Sequence, residues 1–329
     1  MKQSYLVKLE TVLFPLIILM ISFPIIIQYV SDNVAWTVSI FLLVLIGFGI
    51  GLTTSYTAAI AGMLGPSFIG PLMQGYSFGF VVVGFLRLIC LLAFNGQDQS
   101  DYFKGTILYF SLNTVILTVM ALSIPIFLKQ DYIKLHLKIQ SKEEDVDDIQ
   151  KSSLSNAKFD TKATTMKIWL EATTIFVTFL LSYMLYPSIL YQKQQVLVEG
   201  RADWSIFIIN MSFALSDLIG RTAAKLKQSY SRPLLIVSMI VRLLFIASSF
   251  LIALSDAPFW NSPATVIINA ILLGFTNGFF ATAACNTIPG MLENNEKEFG
   301  GFVMSVMING GIAIGSIISL VGFSGIFEK

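Results

Sequence analysis

The chain has 329 residues, 55% of them hydrophobic and only 12% charged, with a mean hydropathy of +0.75 and a formal net charge of +1. Soluble domains carry roughly 25% charged residues, so a water-soluble globular fold is excluded, and a net charge of +1 gives no sign of nucleic-acid binding. Two cysteines, Cys90 and Cys285, both inside apolar stretches, exclude a disulfide scaffold.

Apolar residues come in blocks of about 20 or more, the length that crosses a hydrocarbon core at about 1.5 Å per helical residue. Nine such blocks are predicted, at 11–30, 35–64, 70–93, 105–128, 167–191, 203–226, 232–254, 263–285 and 299–325. An all-α polytopic membrane protein with about nine transmembrane helices follows. The 10 prolines and 23 glycines do not argue against helices, because membrane helices tolerate both.

The first block follows Lys2 and Lys8 in the manner of a signal peptide, but no small-residue cleavage site succeeds it, so it is read as a retained span. The second carries Thr53, Thr54, Ser55 and Thr57, and the third carries Arg87. After the fourth comes the one long polar connection, KQDYIKLHLKIQSKEEDVDDIQKSSLSNAKFDTK, residues 129–162, which is charged and poor in aromatics and reads as a solvated linker. Three regions are expected: an N-terminal bundle at 1–128, a cytoplasmic linker at 129–166 and a C-terminal bundle at 167–329. The only histidine, His136, sits in the linker with no Cys or His beside it, so no metal centre is expected. No polar stretch is long enough for a soluble catalytic domain, and no G-x-x-x-x-G-K-[ST] loop is present, so neither an enzyme nor an ATP-driven pump is expected, and no cofactor.

The fifth block holds Glu171 near its start, where a carboxylate complements the helix dipole. Arg242 falls in the middle of the seventh and is expected to pair within the bundle. Asn277 in the eighth and Asn309 in the ninth are expected to hydrogen-bond across helices. Gly47 with Gly51 and Ser55, Gly75 with Gly79, and Gly311 with Gly315 place small residues four apart, a spacing that permits close helix contact. For Arg87, a contact with an acid and a side chain snorkelling toward a polar pocket are both open. Fourteen of the 21 basic residues lie in connections on the N-terminal side and four on the other, which predicts a cytoplasmic N-terminus.

The sixth block poses the functional question, because SFALSDLIGRTAAKL at 212–226 carries Asp217 and Arg221 inside an apolar run. Each charge costs about 2.5–3.5 kcal/mol at a bilayer centre on insertion scales, so both must face the protein interior. At about 100° per residue, Asn210, Asp217 and Arg221 fall within about 40° of one another and form a single polar stripe. One reading is the wall of a watery cavity; the other is an ion pair at i, i+4 that locks helices together. A buried pair adds little stability once its desolvation is counted, which favours contact with a ligand.

Asp217, Gly220 and Arg221 form a D-x-x-G-R pattern that resembles the signature of the equilibrative nucleoside transporters. The resemblance extends along the chain through AGMLGPSFIGPLMQGYSFGF at 61–80, YPSILYQ at 186–192, FTNGFFA at 275–281 and GGFVMSVMINGGIAIG at 300–315. Arg87 resembles an arginine of plant and protist members.

This resemblance implies a fold related to the major facilitator architecture, two helical bundles around a central cavity with alternating access. Asp217 and Arg221 would meet the ribose hydroxyls, a diol suited to a carboxylate acceptor and a forked donor. Pro187 and Ile312 match positions near the outer gate. Thr54 stands where the family presents a glutamine to the base, which leaves base recognition open; bonding of these hydroxyls to their own backbone is an equal alternative. The family has eleven spans and the first block here corresponds to its third, so two helices are expected to be absent. A sequence that starts late is favoured over a shortened protein, since the remaining spans keep their polar residues.

The expectation is a multi-pass carrier of nucleosides, with nucleobases as a further substrate class, at the plasma membrane. With Asp217 paired and no other central carboxylate, facilitated diffusion is favoured. A proton-coupled carrier and a non-transporting, truncated membrane protein are the competing readings.

Overall fold

The computed structural model of the chain describes residues 5–30, 32–94, 99–133, 160–191 and 197–327. Most of these residues are helical, with no strand among them. The helices are α1 (Tyr5–Tyr29), α2 (Asp32–Leu64), α3 (Pro66–Ala93), α4 (Gln99–Leu128), α5 (Thr161–Lys167), α6 (Trp169–Leu185), α7 (Ser188–Tyr191), α8 (Ala202–Lys225), α9 (Arg232–Leu254), α10 (Pro263–Thr287) and α11 (Lys297–Phe327). Among the described residues, nine spans are long and apolar enough to cross a membrane. This is an all-α, multi-pass membrane protein.

The fifth predicted block differs from a single helix. α6 ends at Tyr186, which is extended at φ −116° and ψ 133°, and α7 resumes after Pro187. Proline has no N–H to donate and disfavours the helical region for the residue before it, which favours a break here, although Pro15, Pro24, Pro71 and Pro125 lie inside unbroken helices. The linker's last residues are also ordered. Asp160 caps α5 by accepting from the backbone N–H groups of Lys162 and Ala163. Residues 129–133 at its start are described too, and residues 134–159, His136 included, lie outside the described residues.

By proximity of Cα atoms the chain divides into two compact units that do not follow chain order: the described parts of 1–60 and 85–156, and those of 61–84 and 157–329. In the first, α1 pairs with α4. Phe23 stacks on Phe110 at 4.9 Å, and Leu42 and Ile46 of α2 join the same cluster.

In the second unit α6 is central and packs on α9, α10 and α11, while α8 runs along α10. Its core includes Ile168, Ile175, Phe179, Leu235, Ala281, Ala284, Ile288 and Met304. Gly311 and Gly315 allow α11 to lie directly on α6: a Cβ at these positions would come within 2.6 Å of the Phe176 carbonyl oxygen and 2.5 Å of that of Leu180. At Gly47, Gly51, Gly75 and Gly79 an added Cβ meets nothing within 4 Å, so the same spacing does not create a close contact there. Outward side chains such as Phe14, Phe41 and Leu244 stay apolar and exposed, as suits a surface that faces lipid.

An ionic cluster closes one end of this unit. Lys167 Nζ donates to both oxygens of Glu296, at 2.7 and 2.9 Å, and Thr164 donates to one of them. Donating to the Glu296 carboxylate holds Lys167 above its usual 10.5. Glu171, in the first turn of α6 and fully buried, accepts from Arg232 Nε at 3.3 Å through Oε1; its Oε2 has no partner among the described residues.

Candidate substrate site

Asp217 and Arg221 project from the same face of α8, one turn apart, and Arg221 Nε donates to Asp217 Oδ2 at 2.8 Å. Each is only 3% exposed. The pair is therefore enclosed by protein, and its charges are met by polar groups from two other helices. Asn277 Nδ2 on α10 donates to Asp217 Oδ1 at 2.7 Å, and Ser77 Oγ on α3 donates to Oδ2. Arg221 Nη1 donates to the Met73 carbonyl oxygen at 3.2 Å, and the guanidinium lies 5.9 Å from the centre of the Phe179 ring. Such compensation is what lets an ion pair stay charged in a low-dielectric interior. Some capacity remains. Oδ1 accepts one bond and has a second lone pair, and Nη2 of Arg221 makes no hydrogen bond among the described residues.

Backbone proximity makes this arrangement possible. A Cβ on Gly278 would lie 2.0 Å from the Asp217 carbonyl oxygen, and one on Gly220 would lie 2.3 Å from that of Phe275. Glycine at both positions brings the backbones of α8 and α10 together, so that the short Asn277 side chain spans the gap to Asp217.

The other predicted residues are placed as follows. Asn210 accepts from the hydroxyls of Tyr186 and Tyr191 through Oδ1, and Tyr186 stacks on Phe213 at 4.2 Å. Pro187 is half-buried between α6 and α7, and Ile312 is half-buried against the core of the second unit. Arg242 is fully buried and donates to Thr276, Thr178 and Ser182. Asn277 bridges Asp217 and Ser182, whose hydroxyl donates to its Oδ1 at 2.6 Å. Asn309 bonds one turn back along its own helix, to the carbonyl and hydroxyl oxygens of Ser305.

Two predicted residues belong to the first unit. Thr54 donates to the Gly51 carbonyl oxygen at 2.9 Å, and Thr53, Ser55 and Thr57 bond to their own helix in the same way. Arg87 is half-buried on α3, with Cys90 and Tyr109 within electrostatic reach. Sequence reasoning did not single out Ser77, Ser182 or Gly278. For Gly278 a signal existed, since Gly274 and Gly278 have the same four-residue spacing as the pairs noted above. The two serines had none, because serine in a membrane helix is ordinarily satisfied by its own backbone.

The fold and site define a multi-pass helical membrane protein that keeps a hydrogen-bonded acid and base in its interior, as membrane carriers do at functional positions. The model of the family described as "Nucleoside transporter" matches residues 40–322, and the chain belongs to that family, which is one of transporters and not of enzymes. The chain is 24% identical over 159 residues to equilibrative nucleoside transporter 4 of Danio rerio, covering 48% of this chain and 30% of that protein. It is 25% identical over 158 residues to the Homo sapiens protein of the same name, covering 48% and 29%. It is 23% identical over 281 residues to equilibrative nucleotide transporter 1 of Arabidopsis thaliana, covering 83% of this chain and 60% of that protein. In each case the chain spans well short of the relative's own length.

Proposed function

We propose that this chain moves nucleosides across the membrane by facilitated diffusion, with nucleobases as a further substrate class. The observation that carries this reading is the enclosed Asp217–Arg221 pair with one acceptor position and one donor group still open. Those groups suit a vicinal diol, whose hydroxyls both donate and accept. Asn210 lies two turns along the same helix and contributes to the same stripe, while Thr54 would face the base. Pro187 and Ile312 would serve at the outer gate, and Arg87, Arg242, Asn277 and Asn309 would hold the framework. Alternating access would come from rocking of bundles at 1–128 and 167–329 about the 129–166 linker, in a plasma membrane with the N-terminus in the cytoplasm. No cofactor or metal enters this reading.

The test is uptake of labelled adenosine and uridine in cells lacking their own carriers, using the longest natural protein that contains this chain. Saturable uptake that stops at equal concentrations on both sides is expected, insensitive to a protonophore. Arg221→Ala should lower it at least about tenfold at equal surface level. Absent uptake would leave a non-transporting membrane protein, accumulation abolished by the protonophore would establish proton coupling, and undiminished uptake by Arg221→Ala would remove that residue from the site.

A further inference from the structure

We infer that Arg242 is a positioning residue for the Asp217 carboxylate, acting through Ser182 and Asn277. Arg242 sits in the middle of α9 with its side chain wholly enclosed, and among the described residues it forms no salt bridge and its Nε has no hydrogen-bond partner. Nη1 donates to Thr276 Oγ1 at 2.9 Å and Nη2 donates to the Thr178 carbonyl oxygen at 3.0 Å and to Ser182 Oγ. A buried guanidinium is ordinarily paired with a carboxylate. Here the chain of contacts leads to Asp217, two side chains away.

The direction of that chain is forced by its ends. A guanidinium only donates and a carboxylate only accepts. Ser182 Oγ must therefore accept from Arg242, and its one proton points onward to Asn277 Oδ1 at 2.6 Å. With its carbonyl engaged, Asn277 has to aim its amide N–H at Asp217 Oδ1, 2.7 Å away. Reversing the hydroxyl would set donor against donor at Arg242, and reversing the amide would set acceptor against acceptor at Asp217, both in a buried place. The result is a carboxylate held at Oδ1 by α10 and at Oδ2 by Arg221 and Ser77, in one rotamer with one open lone pair. Mere cross-linking of α6, α9 and α10 would need the contacts of Arg242 but not their polarity.

This inference rests on the proposed contact between Asp217 and substrate, and two experiments separate the two ideas. Uptake kinetics in the full-length carrier, at matched surface level, are compared for wild type, Arg242→Gln, Arg242→Lys and Ser182→Ala. Loss of polarity should raise the half-saturating nucleoside concentration about tenfold in Arg242→Gln and Ser182→Ala, with maximal rate per molecule within about twofold. Arg242→Lys, which keeps a donor-only cation, should stay within about threefold of wild type. Unchanged half-saturation in Ser182→Ala overturns the inference while leaving nucleoside transport standing.

Should the wild type take up no nucleoside, the functional proposal falls and thermal unfolding of the purified protein decides instead. Ser182→Ala, Asp217→Asn and the double variant are compared, which avoids dependence on whether Arg242→Gln folds. Coupling through the relay predicts a drop in Tm for the double that is smaller than the summed single drops by about 3 °C or more. Additive drops overturn the inference.

Discussion

Replacing Gly278 with alanine tests the central geometric claim, that α8 and α10 meet backbone to backbone at the ion pair. The new Cβ would sit 2.0 Å from the Asp217 carbonyl oxygen and 3.0 Å from the Arg221 nitrogen, where ordinary contact begins near 3.4 Å. Backbone atoms cannot swing aside like a flexible side chain, so α10 must retreat from α8 by about 1.4 Å along that direction. The Asn277–Asp217 hydrogen bond, now 2.7 Å, would stretch toward 4 Å and cease to be one. Overpacking costs about 1–3 kcal/mol, and a lost bond to a charged group about 1.5–3 kcal/mol more. Together these should lower Tm by roughly 5 °C or more. Cys90 and Cys285 are buried and free, so a thiol-reactive dye reports unfolding of the detergent-purified protein directly. Gly47→Ala is the control, since its Cβ meets nothing within 4 Å and it lies outside the site. A Gly278→Ala protein with wild-type Tm and wild-type uptake would refute the close approach.

Two further outcomes are expected from the charged groups. Asp217→Asn keeps the shape but leaves Arg221 buried without its carboxylate, and should cost about 3–5 kcal/mol; Asp217→Leu combined with Arg221→Met removes both charges and should restore part of that loss, as read by the same dye assay. At the ionic end of the second unit, the hydrogen bonds that Lys167 donates to the Glu296 carboxylate raise Lys167 above its usual 10.5. A base whose folded-state pKa is raised contributes its stability in full below the unfolded value and loses it as pH climbs through the folded one. The Tm difference between wild type and Lys167→Met should therefore be constant between about pH 7 and pH 10 and close above about 10.5, and a gap that persists at higher pH would rule out the ion pair as its source.

The spans were legible in the sequence because hydropathy is a local sum, and every predicted block holds a long helix; the break at Tyr186–Pro187 was not, since Pro15, Pro24, Pro71 and Pro125 lie inside unbroken helices. The pairing of Asp217 with Arg221 was legible for the same reason, since one turn of helix sets their spacing whatever surrounds them. Chain neighbours decide such features. What Asp217 meets beyond its own helix was not legible: Ser77 is 140 residues away and Asn277 is 60. Four-residue glycine spacing was equally ambiguous, producing a tight contact at Gly311 and Gly315 and none at Gly47 and Gly51.

Composition and helical periodicity thus determined by themselves that this is a many-helix membrane protein with a charged stripe on one helix. Only the tertiary structure decided that Ser77 and Asn277 converge on that stripe, that Ser182 stands behind Asn277, and that Gly278 lets the backbones of α8 and α10 meet there. The physical reason lies in the solvent. Lipid is as apolar as the helix faces it covers, so hydrophobicity pushes a residue out of water without naming the neighbour it will touch, and that choice is left to backbone fit and to hydrogen bonds between residues far apart in the chain.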